Sequence, residues 1–326
     1  MWIACRCTFA LWCQYDTMTT PPTLPTPSSA TADRLARAQL ALEGLATADA
    51  FGEQLLHAGP HARLSAVVDR KTPTAPRWVW TDDTAMAISI VENLARHGKI
   101  DEVLLARSFA ERYMRDPARG YGRGAHQVLE AIYHGVPYRD AAQQLFGGQG
   151  SCGNGGAMRA APIGAYFADD LGAVVVHAMR SAAPTHAHPD GVAGAVAVAV
   201  AAARVFAGER DGRALIEAVV AHTPPGPTRE GIRRSLPLLG AEPLTVAAAL
   251  GNGSRVTSED TVPFVVWCAA THLADYCAGL WACANVGGDV DTTCAMVGGI
   301  VVGAVGVAGI PAAWRAAREP IPVPSS

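Results

Sequence analysis

Gly191-Val192-Ala193-Gly194-Ala195-Val196-Ala197-Val198-Ala199-Val200 reads two ways. Alternating alanine and valine has the period of a strand. The run continues without a breaker through Ala201-Ala202-Ala203-Arg204-Val205-Phe206, and alanine is the strongest helix former. Helix is therefore the expected state, and with it the clearest period-2 signal in the chain disappears. Outward from this stretch the periodicity is helical. Helices are expected over 33–56, 85–95, 101–113, 127–133, 140–145, 171–181, 215–222, 229–239, 262–275, 280–284 and 294–305. Many helices joined by Gly/Pro loops imply an all-α fold, one compact orthogonal multi-helix domain over 31–326.

Residues 1–30 differ from the rest. Met1–Asp16 mixes three cysteines with two tryptophans, and Thr19–Ser29 is rich in Pro, Thr and Ser. This segment is expected to be a disordered extension and linker, with translation starting at Met18. The apolar residues around Leu11 are too few for a signal peptide.

The chain has 326 residues, half of them hydrophobic, and a net charge of −3. No Lys/Arg block marks a nucleic-acid surface; Lys71 and Lys99 are the only lysines. The eight cysteines form no zinc-type pairs and read as small buried hydrophobes in a reducing, cytoplasmic setting. Two apolar runs, 191–206 and 294–310, rely on Ala, Gly and Val and are barely long enough to span a membrane. Buried helices are the better reading, with Gly299 and Gly303 one turn apart so that another helix can approach.

Two acidic stretches carry chemistry. Trp80-Thr81-Asp82-Asp83-Thr84 and Gly287-Gly288-Asp289-Val290-Asp291-Thr292 each stand directly before an apolar helix. Asp and Thr are ordinary caps at such positions. Two matched stretches exceed what capping needs. If the fold brings them together, the four carboxylates repel unless neutralised. All-oxygen donors suit two hard divalent cations, Mg²⁺ or Mn²⁺.

Gly147-Gly148-Gln149-Gly150-Ser151-Cys152-Gly153-Asn154-Gly155-Gly156 is the densest glycine cluster and precedes Ala157-Met158-Arg159. It is a phosphate cradle or a plain surface loop, and it lacks the Lys-Ser/Thr of a P-loop. Asp49 and Glu53 lie one helical turn apart and can face one point or simply water. His186 and His188 make a metal pair or a polar loop. No serine sits in a nucleophile elbow.

These motifs resemble, in order, those of the ADP-ribosylglycohydrolases. Gly44-Leu45-Ala46-Thr47-Ala48-Asp49-Ala50-Phe51-Gly52 is similar to the family's opening Gly-x-x-x-Gly-Asp-Ala-x-Gly. Trp80–Thr84, Gly153–Arg159, Thr185-His186 and Gly287–Thr292 resemble its four later motifs. The resemblance spans residues 38–305. It implies an all-α orthogonal fold and two Mg²⁺ or Mn²⁺ ions held by Thr81, Asp82, Asp83, Asp289, Asp291 and Thr292. It implies an ADP-ribose pocket involving Asp49, Gly150, Ser151, Cys152, Gly153, Asn154, Gly155, Gly156, Met158, Arg159 and His186. The implied reaction is hydrolysis of the bond between ADP-ribose and an acceptor; the paired acidic stretches themselves offer Asp83 or Asp291 as the base that takes a proton from the attacking water. The acceptor expected is arginine in an ADP-ribosylated protein; serine, modified nucleic acid, a small ADP-ribose derivative, or a silent ADP-ribose-binding role are the alternatives. No membrane partner is expected.

The chain departs from the pattern in three places. Ala48 replaces a glycine. Leu56 stands where many relatives carry a glutamate, so that acid is either shifted to Glu53, the third catalytic candidate, or missing. Cys152 stands where some relatives have an aromatic near adenine.

Overall fold

The computed structural model describes residues 29–58 and 60–322. The expectations for the extension, the linker and a start at Met18 lie outside these, except that a helix already begins at Ser29. Among the described residues there are sixteen α-helices and no strand. Only two isolated bridges occur among them, Trp78 with Arg318 and Gly153 with Thr257.

In chain order the helices are α1 (Ser29–His57), α2 (Pro60–Asp69), α3 (Asp82–His97), α4 (Glu102–Arg115), α5 (Arg123–Tyr133), α6 (Tyr138–Gly148), α7 (Ala161–Tyr166) and α8 (Leu171–Ala182). They continue as α9 (Pro189–Phe206), α10 (Gly212–His222), α11 (Pro227–Ser235), α12 (Pro243–Leu250), α13 (Ser258–Thr271), α14 (Tyr276–Val286), α15 (Val290–Val305) and α16 (Ala312–Ala317). Helices α2, α7, α12 and α16 were not expected from periodicity. Two of these are six residues long, too short to show a repeat, and all four have proline at or just before their first turn.

The Ala/Val run is helix α9, and it sits in the core against α7, α8, α10, α13 and α15. It is the one described helix long and apolar enough to cross a membrane, and 78% of it is buried inside the protein. Small residues explain how so many neighbours reach it: valine and alanine are the widest side chains along most of its length.

α1 and α15 pack along each other, and glycine sets their distance. A Cβ on Gly298 would lie 2.4 Å from Ala48 Cβ, and one on Gly44 2.6 Å from Gly298 O. Gly299 gives room to Ala161 and Leu45, while Gly303 faces the Phe206 ring. The expected close approach therefore occurs on two sides of α15. The consequence lies at the other end of the pair, where Gly52 abuts Asp291: a Cβ there would stand 2.5 Å from Asp291 Cα.

An aromatic cluster holds this end of α1. Phe51 stacks on Trp314 with centroids 4.4 Å apart and meets Trp281 edge-on at 4.9 Å. The C-terminal segment is thus pinned beside the first acidic stretch. Glu319 accepts from both Nη1 and Nη2 of Arg119 (2.6 and 3.0 Å), and Arg119 lies 3.7 Å over the Trp80 ring.

Candidate active site

Thr81 caps α3 and Asp82 and Asp83 form its first turn. Asp289 caps α15, followed by Asp291 and Thr292. A turn at Gly287 and Gly288, both with positive φ, delivers Asp289 to that position. A Cβ on Gly288 would meet Asn252 O at 2.2 Å, so only glycine fits the turn. The two helix starts face one cleft of about 360 Å³. Asp82, Asp83, Asp289, Asp291 and Thr292 all line it. Three larger hollows, of about 880, 800 and 620 Å³, lie elsewhere and contain none of these residues.

The carboxylates are buried and crowd one another. Burial, followed by the charge of Asp49, pushes Asp82 up to about 8. Asp83 is pushed well up by burial and then by Asp49 and Asp291. Burial and the neighbouring Asp289 do the same to Asp291. One oxygen each of Asp83 and Asp291, the Oδ1 atoms, is buried with no hydrogen-bond partner. Buried oxygens of this kind are costly unless a proton or a cation meets them. A hard divalent cation fits this donor set. Among the described residues no group of three Asp, Glu, His or Cys side chains is gathered around a single point.

Asp49 has a different place from the one expected. It is fully buried and does not line the cleft. Its carboxylate accepts from the backbone N–H of Thr81 (3.0 Å) and Thr84 (3.1 Å), and from the Thr81 hydroxyl (2.9 Å). It fixes the turn that carries Asp82 and Asp83. Burial pushes it up to about 6, against these donors. Thr81, enclosed between Asp49 and Asp83, is likewise not on the cleft surface.

The glycine-rich segment divides. Ser151, Gly153, Asn154, Gly155, Met158 and Arg159 line the cleft, together with His186. Gly150, Cys152 and Gly156 do not: Gly150 is wedged against the Ala187–His188 backbone, and the Cys152 carbonyl accepts from Ser258 N. The Asn154 side chain donates to Asp289 Oδ2 (2.7 Å) and to Thr261 Oγ1 (3.1 Å), so it serves the acidic cluster.

Arg159 is also committed. It donates to Gly155 O (3.0 Å), Ser181 O (2.8 Å) and Thr185 Oγ1 (2.8 Å), and burial pulls it down to about 9. Thr185 Oγ1 accepts from Arg159 and shares a hydrogen bond with His186 Nδ1, 2.7 Å away, whose direction follows the His186 tautomer. The Nε2 edge of His186 faces the side of Gly153 and Gly155. Burial, with Arg159 beside it, pushes His186 down to about 3, so it stays neutral near pH 7.

Glu53 is not brought to the cleft. It is half-buried on α1 and lies 3.3 Å from His57 Nδ1, one turn on. His188 caps α9 through Asp190 N rather than joining His186.

Sequence reasoning missed five cleft residues that matter: Gly120, Gly122, Arg123, Phe146 and Val256. The alternating glycines of Gly120-Tyr121-Gly122-Arg123-Gly124 were a signal that could have found the first three. Phe146 and Val256 are exposed, and both have left-handed backbone, with φ of 52° and 51°. Such strain in a non-glycine residue is unusual and clusters at working surfaces.

Known proteins bear on this geometry. The chain is 30% identical to the ADP-ribosylhydrolase ARH3 of Bos taurus over 74% of each chain, and 29% identical to that of Homo sapiens over the same shares. It is 28% identical to an uncharacterized Escherichia coli protein, YegU, over 74% of this chain and 76% of that one. A solved structure described as an ADP-ribosylglycohydrolase-related protein complex superimposes with a TM-score of 0.54 at 24% identity, covering 87% of this chain and 92% of that one; it speaks for the fold. The ADP-ribosylglycohydrolase family model matches residues 30–322, and this chain belongs to that family.

Proposed function

We propose that the protein hydrolyses the glycosidic bond between ADP-ribose and an acceptor, an arginine side chain of an ADP-ribosylated protein, in a reaction dependent on divalent cations. The observation that carries this reading is the pair of partnerless Oδ1 atoms on Asp83 and Asp291 in one cleft. A silent binding protein has no need to keep two buried carboxylate oxygens unsatisfied.

Asp82, Asp83, Asp289, Asp291 and Thr292 would hold two Mg²⁺ or Mn²⁺ ions, with Thr81 setting the turn from which the first two project. When bound, these ions supply Lewis acidity and a water of lowered pKa. The chain's own residues do the rest. Asp83 or Asp291 accepts the proton of the attacking water at its free oxygen. Asn154 keeps Asp289 in place. Neutral His186 presents its Nε2 edge as an uncharged polar contact, since it does not charge near pH 7. Phe146 offers an exposed ring face at the rim for a flat base. Glu53 is paired with His57 and does not line the cleft.

The test is release of free ADP-ribose from an ADP-ribosylarginine protein with Mg²⁺ or Mn²⁺ and an EDTA control. Cation-dependent release supports the whole reading. Release only from serine-linked, nucleic-acid or small-molecule substrates moves the acceptor. AMP in place of ADP-ribose would make the protein a phosphohydrolase. Binding of ADP-ribose without turnover of any substrate would make it a binding protein.

A further inference from the structure

Residues 119–124 form a strap from the acidic floor to the aromatic rim. At one end the Arg119 carbonyl accepts from Asp82 N at 2.7 Å, and a Cβ on Gly120 would lie 3.5 Å from Asp82 Oδ1. At the other, a Cβ on Gly124 would lie 3.5 Å from the Phe146 ring. Arg123 stands between these ends, exposed, on the cleft wall. Two arginines line this cleft. Arg159 spends its guanidinium on Gly155, Ser181 and Thr185. Arg123 has no ion pair or side-chain hydrogen bond with any described residue. An exposed cation on the wall of an acidic cleft, taken as a partner by none of its carboxylates, is free to meet a ligand, and it sits on the strap between floor and ring.

We infer that Arg123 binds the diphosphate of the ligand and thereby selects a nucleoside diphosphate sugar over a nucleoside. This rests on the proposed function. A ligand whose distal ribose sits on the acidic floor and whose base lies on Phe146 would run its linker between two walls of the cleft, residues 122–124 on one side and the Gly153–Gly155 loop on the other, and only the first of these carries an uncommitted cation. In ADP-ribose that linker is the diphosphate, and a guanidinium pairs with its oxygens in a planar, forked geometry. The same charge offsets the repulsion a dianion meets on approaching Asp82 and Asp83.

The test uses the full-length protein with Mg²⁺ and calorimetric titration of ADP-ribose and, separately, of adenosine. Arg123→Ala is expected to weaken ADP-ribose about tenfold at low salt, with Arg123→Lys recovering part of the loss and adenosine unaffected by either change. The difference between wild type and Arg123→Ala should shrink as KCl rises, because the side chain is exposed. ADP-ribose affinity within twofold of wild type in Arg123→Ala overturns the inference. So does an equal loss for adenosine, which would make Arg123 a support for Phe146. Unchanged ADP-ribose binding with slower turnover of the modified protein also overturns it and assigns Arg123 to the acceptor. If the wild-type protein binds no ADP-ribose, the proposed function falls and this inference with it, a result distinct from the other three.

Discussion

Asn154 donates its side-chain amide to Asp289 at 2.7 Å, joining two segments 135 residues apart. An Asn in a glycine-rich loop invites a role on substrate; here its amide is spent on a carboxylate of the cluster and on Thr261. Asn154→Ala should therefore weaken divalent-cation affinity about 10- to 100-fold, the usual cost of losing a partner behind a ligand. Asn154→Asp should do worse, since it sets a second carboxylate against Asp289. Thermal shift titrated with Mn²⁺ reads the affinity directly. Unaltered cation affinity with a raised KM would return Asn154 to the substrate.

Asp83→Asn and Asp291→Asn separate function from folding. Each removes a partnerless buried oxygen and one charge of a repelling group. Without cations both variants should melt above wild type, because the buried repulsion is relieved. With cations both should gain less than wild type, and turnover should fall by about a thousandfold, the scale of a lost general base or cation ligand. Full activity in either variant would refute the assignment.

Much of this was legible in the sequence, for a physical reason. Thr81–Thr84 and Gly287–Thr292 are helix starts, and helix starts obey local rules of capping and glycine turns that survive without knowledge of the fold. The helices around them were legible where their periodic face was long. The Ala/Val run misleads as a strand only until its length is considered. What stayed hidden depends on contacts between distant segments. Nothing near Asp49 shows that Thr81 and Thr84 will consume its carboxylate. Nothing near Glu53 shows that it turns to His57. Phe146 lay at the edge of a glycine cluster, and a left-handed φ at a phenylalanine is not something composition foretells.

The acidic cluster makes stability depend on pH in a stated direction. Asp49 is held at about 6 and Asp82 at about 8, both above the ordinary 3.8, with burial the first cause. A raised acid binds its proton more tightly when folded, so its contribution is whole below the unfolded pKa near 4 and is lost as pH rises through the folded value. The cation-free protein should lose melting temperature between about pH 4 and pH 8. Mg²⁺ or Mn²⁺ should reverse the loss at the alkaline end, since a cation binds the ionised, folded form. A melting temperature flat across that range in EDTA would show that other groups compensate, and no cation effect at pH 8 would count against a cation site.

Gly52→Ala tests whether α1 sets the position of Asp291. Alanine favours a helix interior by about 1 kcal/mol over glycine. Here its Cβ would press on Asp291 Cα at 2.5 Å, on Asp291 N at 2.8 Å and on Val290 O at 2.8 Å, all backbone. Backbone cannot swing aside, so overpacking of about 1–3 kcal/mol should exceed the helical gain. The start of α15 must then move, and Asp289 and Asp291 with it. Gly44→Ala is the matched control: its Cβ would also strike backbone, Gly298 O at 2.6 Å, but two turns back along α1. Both variants should lose stability, and Gly52→Ala should lose far more turnover and Mn²⁺ affinity for the same fall in melting temperature. Equal functional losses in the two would mean that α1 only supports the fold and does not position the carboxylate.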